Sequence, residues 1–182
     1  MTTQPFKTDL ETIRVQAREK MMQGAVTEAY GANREQVISV LNEVLATEIV
    51  CTLRYTQHAL TAEGIFGEIA KAEFEEHAEE ERSHARQVAE RITQLDGVPN
   101  LNPATLTERS HAEYKEASDL VEMIKEDLVA ERIAVHTYSE VIRWLGDGDP
   151  TTRRMMEGIL AQEEEHADDM AGLLEKFSKQ RR

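Results

Sequence analysis

The sequence predicts an all-α protein: an antiparallel four-helix bundle with a long crossover between its second and third helices, preceded by a short helical extension. Three observations carry this. The 182 residues are 40% hydrophobic but only 5% aromatic, with 4 prolines. Leu, Ala, Glu, Met, Lys and Arg recur throughout, a composition that favours helix over sheet. Four long segments repeat apolar residues at the three-to-four spacing of a helix face. The connections between them are short, long and short; short connections make antiparallel neighbours, and a long one lets the chain return along the bundle. A chain of this length is the size of one domain and buries a substantial core.

Residues 1–33 read as an N-terminal extension, with a short helix around Leu10 to Met22 and a loop through GAVTEAYGAN. The first bundle helix spans about Arg34 to Glu63, with Leu41, Val44, Leu45, Cys51, Thr52 and Tyr55 on one face and Glu48 on the same stripe. The second spans about Gly67 to Leu95, with Phe74, Ala78, Ala85, Val88, Ile92 and Leu95 inward and Glu81 and His84 among them. The Gly and Pro of DGVPN end it. The segment NLNPATLTERSHAEY is too polar and broken to be core. The third helix resumes by about Ser118, with Ile124, Leu128, Val135, Ile142 and Leu145 inward, joined by Glu131 and Tyr138. After the turn GDGDP, Pro150 suits the first turn of the fourth helix. Its inward face, Met156, Ile159, Leu160, Ala167, Met170, Leu173 and Phe177, is interrupted by Glu163 and His166, and the bundle closes at 178 before a basic tail over 179–182. The halves echo each other. Glu48 to Glu131 is an offset of 83, Glu81 to Glu163 is 82, and a tyrosine follows seven residues after both Glu48 and Glu131.

The formal charge is 21 − 35 = −14. DNA binding needs a basic face to displace counterions, so this balance argues against a generic nucleic-acid surface. It suits a cation store, or simply a soluble acidic protein. The single cysteine, Cys51, makes no internal disulfide. No apolar run approaches the roughly 20 residues that span a bilayer. The N-terminus lacks the apolar core of a signal peptide, and a reducing cytoplasm is the expected compartment.

Residues three apart share one side of a helix, so Glu81 with His84, and Glu163 with His166, each aim a carboxylate and an imidazole at a common point. The E-x-x-H spacing alone is weak, because it recurs at Glu108 and His111 in the polar crossover. The full set is specific: a lone Glu on the first helix, another on the third, and one E-x-x-H on each of the other two, the pattern of dinuclear carboxylate bundles. Four buried carboxylates need protons or cations to be tolerable, and two divalent ions balance their charge. Hard oxygens with one imidazole per ion suit Fe2+ or Mn2+, with iron favoured, since structural zinc recruits thiolates and calcium avoids nitrogen. Tyr55 and Tyr138 lie where they can hydrogen-bond a ligand or pass an electron, although tyrosine at core spacing also serves as packing.

At these residues the chain resembles bacterioferritin and the Dps-like branch of the ferritin superfamily, across roughly Arg34 to Phe177. TEIVCTLRY resembles the bacterioferritin segment holding its terminal Glu. EERSHA with RITQLDGVPNL is similar to its second helix, and DLVAER and AQEEEHADD to its third and fourth. The resemblance implies a ferritin-like bundle in which Glu81 and Glu163 bridge two irons, Glu48 with His84 completing one and Glu131 with His166 the other. It further implies a ferroxidase whose two Fe2+ ions reduce O2 or H2O2 by paired electrons, the ferric product entering a homo-oligomeric shell.

Three departures bear on that expectation. Arg82 stands where bacterioferritin has its haem-ligating methionine, so no haem is expected at that position, leaving Met123 or Met170 as the alternatives. Only 16 residues follow His166, too few for the fifth helix of 24-subunit ferritins, and the extension before Arg34 is similar to those of Dps-like shells; 12 subunits are therefore favoured over 24. The paired cysteines of some Dps-like proteins are absent. Two rivals stand beside this reading: a rubrerythrin-like peroxidase without a cage, for which no four-cysteine electron-delivery module is present, and a DNA-protecting shell resting on the basic SKQRR tail.

Overall fold

The computed structural model describes residues 7–64 and 66–180, with side chains as far as Phe177. The basic segment 179–182 therefore lies outside the described side chains. Every regular element among the described residues is helical: α1 (Leu10–Glu19), α2 (Arg34–Thr61), α3 (Gly67–Gln94), α4 (Leu106–Arg109), α5 (Leu120–Leu145) and α6 (Pro150–Gln180), with single 3-10 turns at Met21–Gln23 and Pro103–Thr105. The chain divides into two compact units, Met1–Tyr30 and Gly31–Arg182.

In the first unit, Asp9 caps α1 by accepting from the Thr12 amide at 3.1 Å, which satisfies one of the free donors of the first turn. None of the α1 side chains is buried, and Lys20 pairs with Glu28.

The second unit holds the bundle, and its cross-bundle hydrogen bonds set the helix directions. Between α2 and α5, Glu48 meets Tyr138, Arg54 meets Asp127 and Tyr55 meets Glu131, so numbers rise on one helix as they fall on the other. Between α3 and α6, Glu80 meets His166, His84 meets Gln162 and Arg91 meets Asp149. Both pairs are antiparallel, as are the two hairpins; α3 and α5 must then run the same way. The connection between them therefore has to travel the length of the bundle. It does so along α2. Asn100 donates to Asn42, Arg109 to the Asn42 carbonyl, the His111 amide to Thr47, and Arg54 donates to the Glu113 carbonyl.

This crossover corrects the expectation that it is too polar to join the core: Leu106 and Ala112 are buried, Ala112 against Cys51 and Ala130. A four-residue helix offers one apolar position and no period to detect. The end of α3 also differs in detail. The left-handed residue is Asp96 (φ 59°), and the Gly97 amide reaches back to the Ile92 carbonyl at 2.9 Å. Gly97 answers a close approach, since a Cβ there would lie 2.9 Å from methyls of both Ile38 and Ile92.

The inward stripes meet as expected, with two refinements. Thr52, Ala85, Leu128, Val135, Ile142, Leu160 and Ala167 are half-buried, and Asp127 takes the fully buried place on α5 beside Leu128. By length and composition α2 is long and apolar enough to cross a membrane, contrary to the expectation that no segment approached that. Half of its most apolar stretch is packed inside the bundle, and its inward side carries Glu48 and Arg54. One end of the core gathers Tyr55, Phe74, Met123, Ile124, Met170 and Phe177. Removing a buried aromatic such as Phe74 would cost about 3–5 kcal/mol, the scale of stability this apolar packing sets against the polar centre.

Candidate metal centre

Each of the four long helices carries its polar residues at mid-length, so the bundle places them together halfway along its axis. Glu48, Glu81, Glu131 and Glu163 are each 1% exposed, His84 0% and His166 2%. Their ligand atoms fall into two groups in which every atom lies within 4.8 Å of the others: Glu48, Glu81, His84 and Glu163, and Glu81, Glu131, Glu163 and His166. Glu81 and Glu163 belong to both. Glu108 and His111 belong to neither: Glu108 is exposed, and the His111 Nε2 lies 3.5 Å from Glu43.

The imidazoles are oriented from behind. His166 Nε2 lies 2.7 Å from Glu80 Oε2, and His84 Nε2 lies 2.9 Å from Gln162 Oε1. Both acceptors hold a proton on Nε2, so each Nδ1 faces the centre and presents a lone pair to a cation once it carries no proton of its own. His84 Nδ1 sits 3.0 Å from Glu163 Oε1 and 3.3 Å from Glu48 Oε2; His166 Nδ1 sits 3.5 Å from both Glu81 and Glu163. The tyrosines brace the terminal carboxylates crosswise. Tyr55 on α2 donates to Glu131 Oε1 at 2.5 Å, and Tyr138 on α5 donates to Glu48 Oε1.

What remains unpaired defines the site. Among the described residues, Glu48 Oε2, Glu81 Oε1, Glu131 Oε2, both Glu163 oxygens and the Nδ1 atoms of His84 and His166 are buried without a hydrogen-bond partner. Orphaned buried oxygens are costly, and their number here fits a set of donors built for cations. Without cations the charges settle by proton uptake. Burial, with the charges of Glu163 and Glu48, pushes the Glu81 carboxyl well above the usual range, and burial with the Glu48 charge pushes Glu163 up to about 7. Burial opposes the charged imidazole, but the carboxylates of Glu163 and Glu48 outweigh it and raise His84 to about 10. Burial likewise works against the Glu131 anion, yet His166, Glu163 and Tyr55 hold its pKa below the ordinary value.

Several polar residues of the interior escaped sequence reasoning. Arg54 Nε and His58 Nδ1 both meet Asp127 at 2.8 Å, fully buried, one turn from Tyr55 and Glu131. His77 is 2% exposed and stacks on His166 with ring centres 4.0 Å apart. A signal existed for two of these: Asp127 and His77 lie four residues before Glu131 and Glu81, on the same stripes. Glu80 and Gln162 each immediately precede a shared carboxylate, a correspondence contained in the 82-residue offset between the halves. Cys51 is a free, buried thiol whose pKa burial raises well above the ordinary value, the state of an inert core residue. Arg82 is exposed and pairs with Glu79, while Met123 and Met170 are core residues.

The description "ferritin-like domain" matches residues 38–179. A nutrient stress-induced DNA-binding protein of Synechococcus sp. is 30% identical over 142 residues, covering 76% of this chain and 81% of that protein. Bacterioferritin of Mycobacterium bovis is 30% identical over 151 residues, covering 79% of this chain and 86% of that one. Among solved structures, a dodecameric thioferritin, the bacterioferritin-related protein from Bacteroides fragilis, has a TM-score of 0.80 at 34% identity, covering 83% of this chain and 91% of that chain. Dps from Thermosynechococcus elongatus shares the fold with a TM-score of 0.74 at 21% identity, over 77% of this chain and 90% of that one. The chain belongs to the ferritin-like family, with a bacterioferritin and a nutrient stress-induced DNA-binding protein among its relatives.

Proposed function

We propose that this protein is a ferroxidase that oxidises Fe2+ at an intrasubunit dinuclear centre and stores the ferric product in a homo-oligomeric shell. The observation that carries this reading is the convergence of unpartnered buried carboxylate and imidazole atoms from four helices of one chain. Glu81 and Glu163, common to both groups, act as bridges; Glu48 with His84 and Glu131 with His166 complete one position each. Two Fe2+ are the substrate, held about 3.5–4 Å apart as in other two-metal sites. With O2 and two protons they yield two Fe3+ and H2O2; with H2O2 and two protons, two Fe3+ and two waters. Taking both electrons together avoids releasing a one-electron radical. Mn2+ is the other ion that this donor set suits.

The dodecameric state named for the Bacteroides fragilis relative supports 12 subunits here. Twelve copies of a 20.7 kDa chain, 12 × 20.7, weigh about 248 kDa, which sedimentation distinguishes from 24. DNA binding is not carried over from the Synechococcus relative, because a net charge of −14 opposes phosphate contacts. With Arg82 at the surface and no methionine in its place, the protein is haem-free in this reading, and it acts in the cytoplasm.

The test is stopped-flow absorbance of ferric-oxo formation after adding two Fe2+ per subunit. Glu81→Ala and Glu163→Ala each strip a ligand from both irons and should slow oxidation by more than the roughly 10–100-fold typical of losing an outer-sphere partner. Glu108→Ala and His111→Ala should oxidise iron at close to the wild-type rate. Oxidation at the wild-type rate by Glu81→Ala would place the chemistry elsewhere.

A further inference from the structure

We propose that Glu73, His77 and Asp169 form a third divalent-cation site, built from none of the six residues of the dinuclear centre. Glu73 and His77 stand one turn apart on α3, and Asp169 faces them from α6. One atom from each lies within 4.8 Å of the other two. His77 Nε2 is 3.6 Å from Glu73 Oε1 and 3.8 Å from Asp169 Oδ2, each longer than a hydrogen bond. The three groups converge without satisfying one another.

The imidazole is the second observation. His77 is 2% exposed; its Nε2 faces the two carboxylates yet lies beyond hydrogen-bond distance of both, and its Nδ1, on the other edge of the ring, is buried without a partner. A buried imidazole held against two carboxylates without a hydrogen bond to either leaves its Nε2 available to a cation that both carboxylates can share. Its orientation is fixed on both sides: Tyr55 meets it edge-on at 5.2 Å, and His166 stacks against it at 4.0 Å. Two carboxylates balance one divalent ion, the neutral nitrogen completes three protein donors, and water fills the other positions. That set suits Fe2+, Mn2+ or Zn2+.

Exposure falls stepwise across the site. The side chain of Asp169 is 47% exposed, that of Glu73 30% and that of His77 2%, and the next ring inward is His166. The site therefore lies between solvent and the dinuclear centre, where a partly hydrated ion can pause. Cation binding here stands without the ferroxidase reading; the use of the site as a station for Fe2+ rests on that reading.

The experiment is calorimetric titration of the metal-free protein with Zn2+, paired with anomalous diffraction from Zn2+-soaked crystals. Wild type should bind three ions per chain, with one anomalous peak among Glu73, His77 and Asp169. Asp169→Asn and Glu73→Gln, both at accessible positions, should each weaken that ion by about tenfold or more while keeping the other two. A Glu81→Ala/Glu163→Ala double variant should lose the paired ions and keep the third, so failure of one site is distinguishable from failure of the other. Two ions in wild type, or a third whose affinity neither Asp169→Asn nor Glu73→Gln changes, overturns the site. For the station, Asp169→Asn should slow Fe2+ loading several-fold with the final stoichiometry of the centre unchanged; unaltered loading overturns that role.

Discussion

Tyr55 and Tyr138 tie the two halves of the bundle together, because each hydroxyl serves the carboxylate of the opposite half. Burial and the charge of the adjacent Glu131 push the Tyr55 phenol far above its usual pKa, and burial with Glu48 does the same for Tyr138, so both remain hydrogen-bond donors. Tyr55→Phe should weaken the metal position of Glu131 and His166 by about 10–100-fold, and Tyr138→Phe the position of Glu48 and His84. Calorimetry with Mn2+ checks this, and wild-type affinities in both variants would reduce the hydroxyls to packing. These two roles were half legible, since the spacing after Glu48 and Glu131 is visible in sequence but the crosswise pairing needs two helices in register. The six candidate ligands stand out because they interrupt apolar stripes. Asp127 and His77 share the stripes of Glu131 and Glu81 and are legible in the same way, but Arg54 and His58 are not, because a rule that sends charge outward hides a residue whose partner comes from elsewhere in the chain.

At the scale of the helix, the start of α6 shows how a polar cluster locates an element. Asp149 accepts from the Thr152 amide at 2.9 Å and from its hydroxyl, which caps the helix, and its two oxygens accept from Arg91 Nη2 at 2.9 and 3.1 Å. The residue is 1% exposed, so Asp149→Ala leaves Arg91 buried without its counter-charge and should cost about 3–5 kcal/mol at pH 7. Burial alone would raise the Asp149 pKa, but hydrogen bonds from Thr152 and Arg91 lower it below the ordinary 3.8. A depressed carboxylate stabilises the fold above its unfolded pKa and loses that contribution as pH falls through the folded value. Urea melts should therefore show the full gap between wild type and Asp149→Ala at pH 7 and a smaller one below about pH 3, whereas a constant gap would mean the charge is immaterial. Pro150 marked this helix start in the sequence. The burial of Asp149 and Arg91 was not readable, because it depends on α3 reaching the same end of the bundle.

At the scale of the molecule, the bundle holds its buried carboxylates at a cost that the proposed metal ions would offset. Cations that bind only the folded chain stabilise it by about 2.7 kcal/mol per ion at a hundred times Kd, and about 1 kcal/mol shifts the melting temperature of a chain this size by roughly 2–4 °C. Removing metal should therefore lower the melting temperature by about 10–20 °C when both positions empty. The metal-free protein should also depend on pH in a particular direction. Burial and the Glu48 charge raise the folded pKa of Glu163 from 4.5 to about 7. A carboxyl whose pKa is raised on folding contributes stability below its unfolded pKa and loses it as pH rises through the folded value. Metal-free wild type should therefore weaken between about pH 5 and pH 8 as the cluster becomes ionised. Glu163→Gln keeps the side-chain volume and cannot ionise. Without metal, its stability relative to wild type should be clearly greater at pH 8 than at pH 5, while its stabilisation by added Fe2+ or Mn2+ should fall well short of wild type. Calorimetric melts of both proteins, with and without metal at the two pH values, decide the matter. If the advantage of Glu163→Gln is the same at both, repulsion among the buried carboxylates is not what limits the metal-free fold.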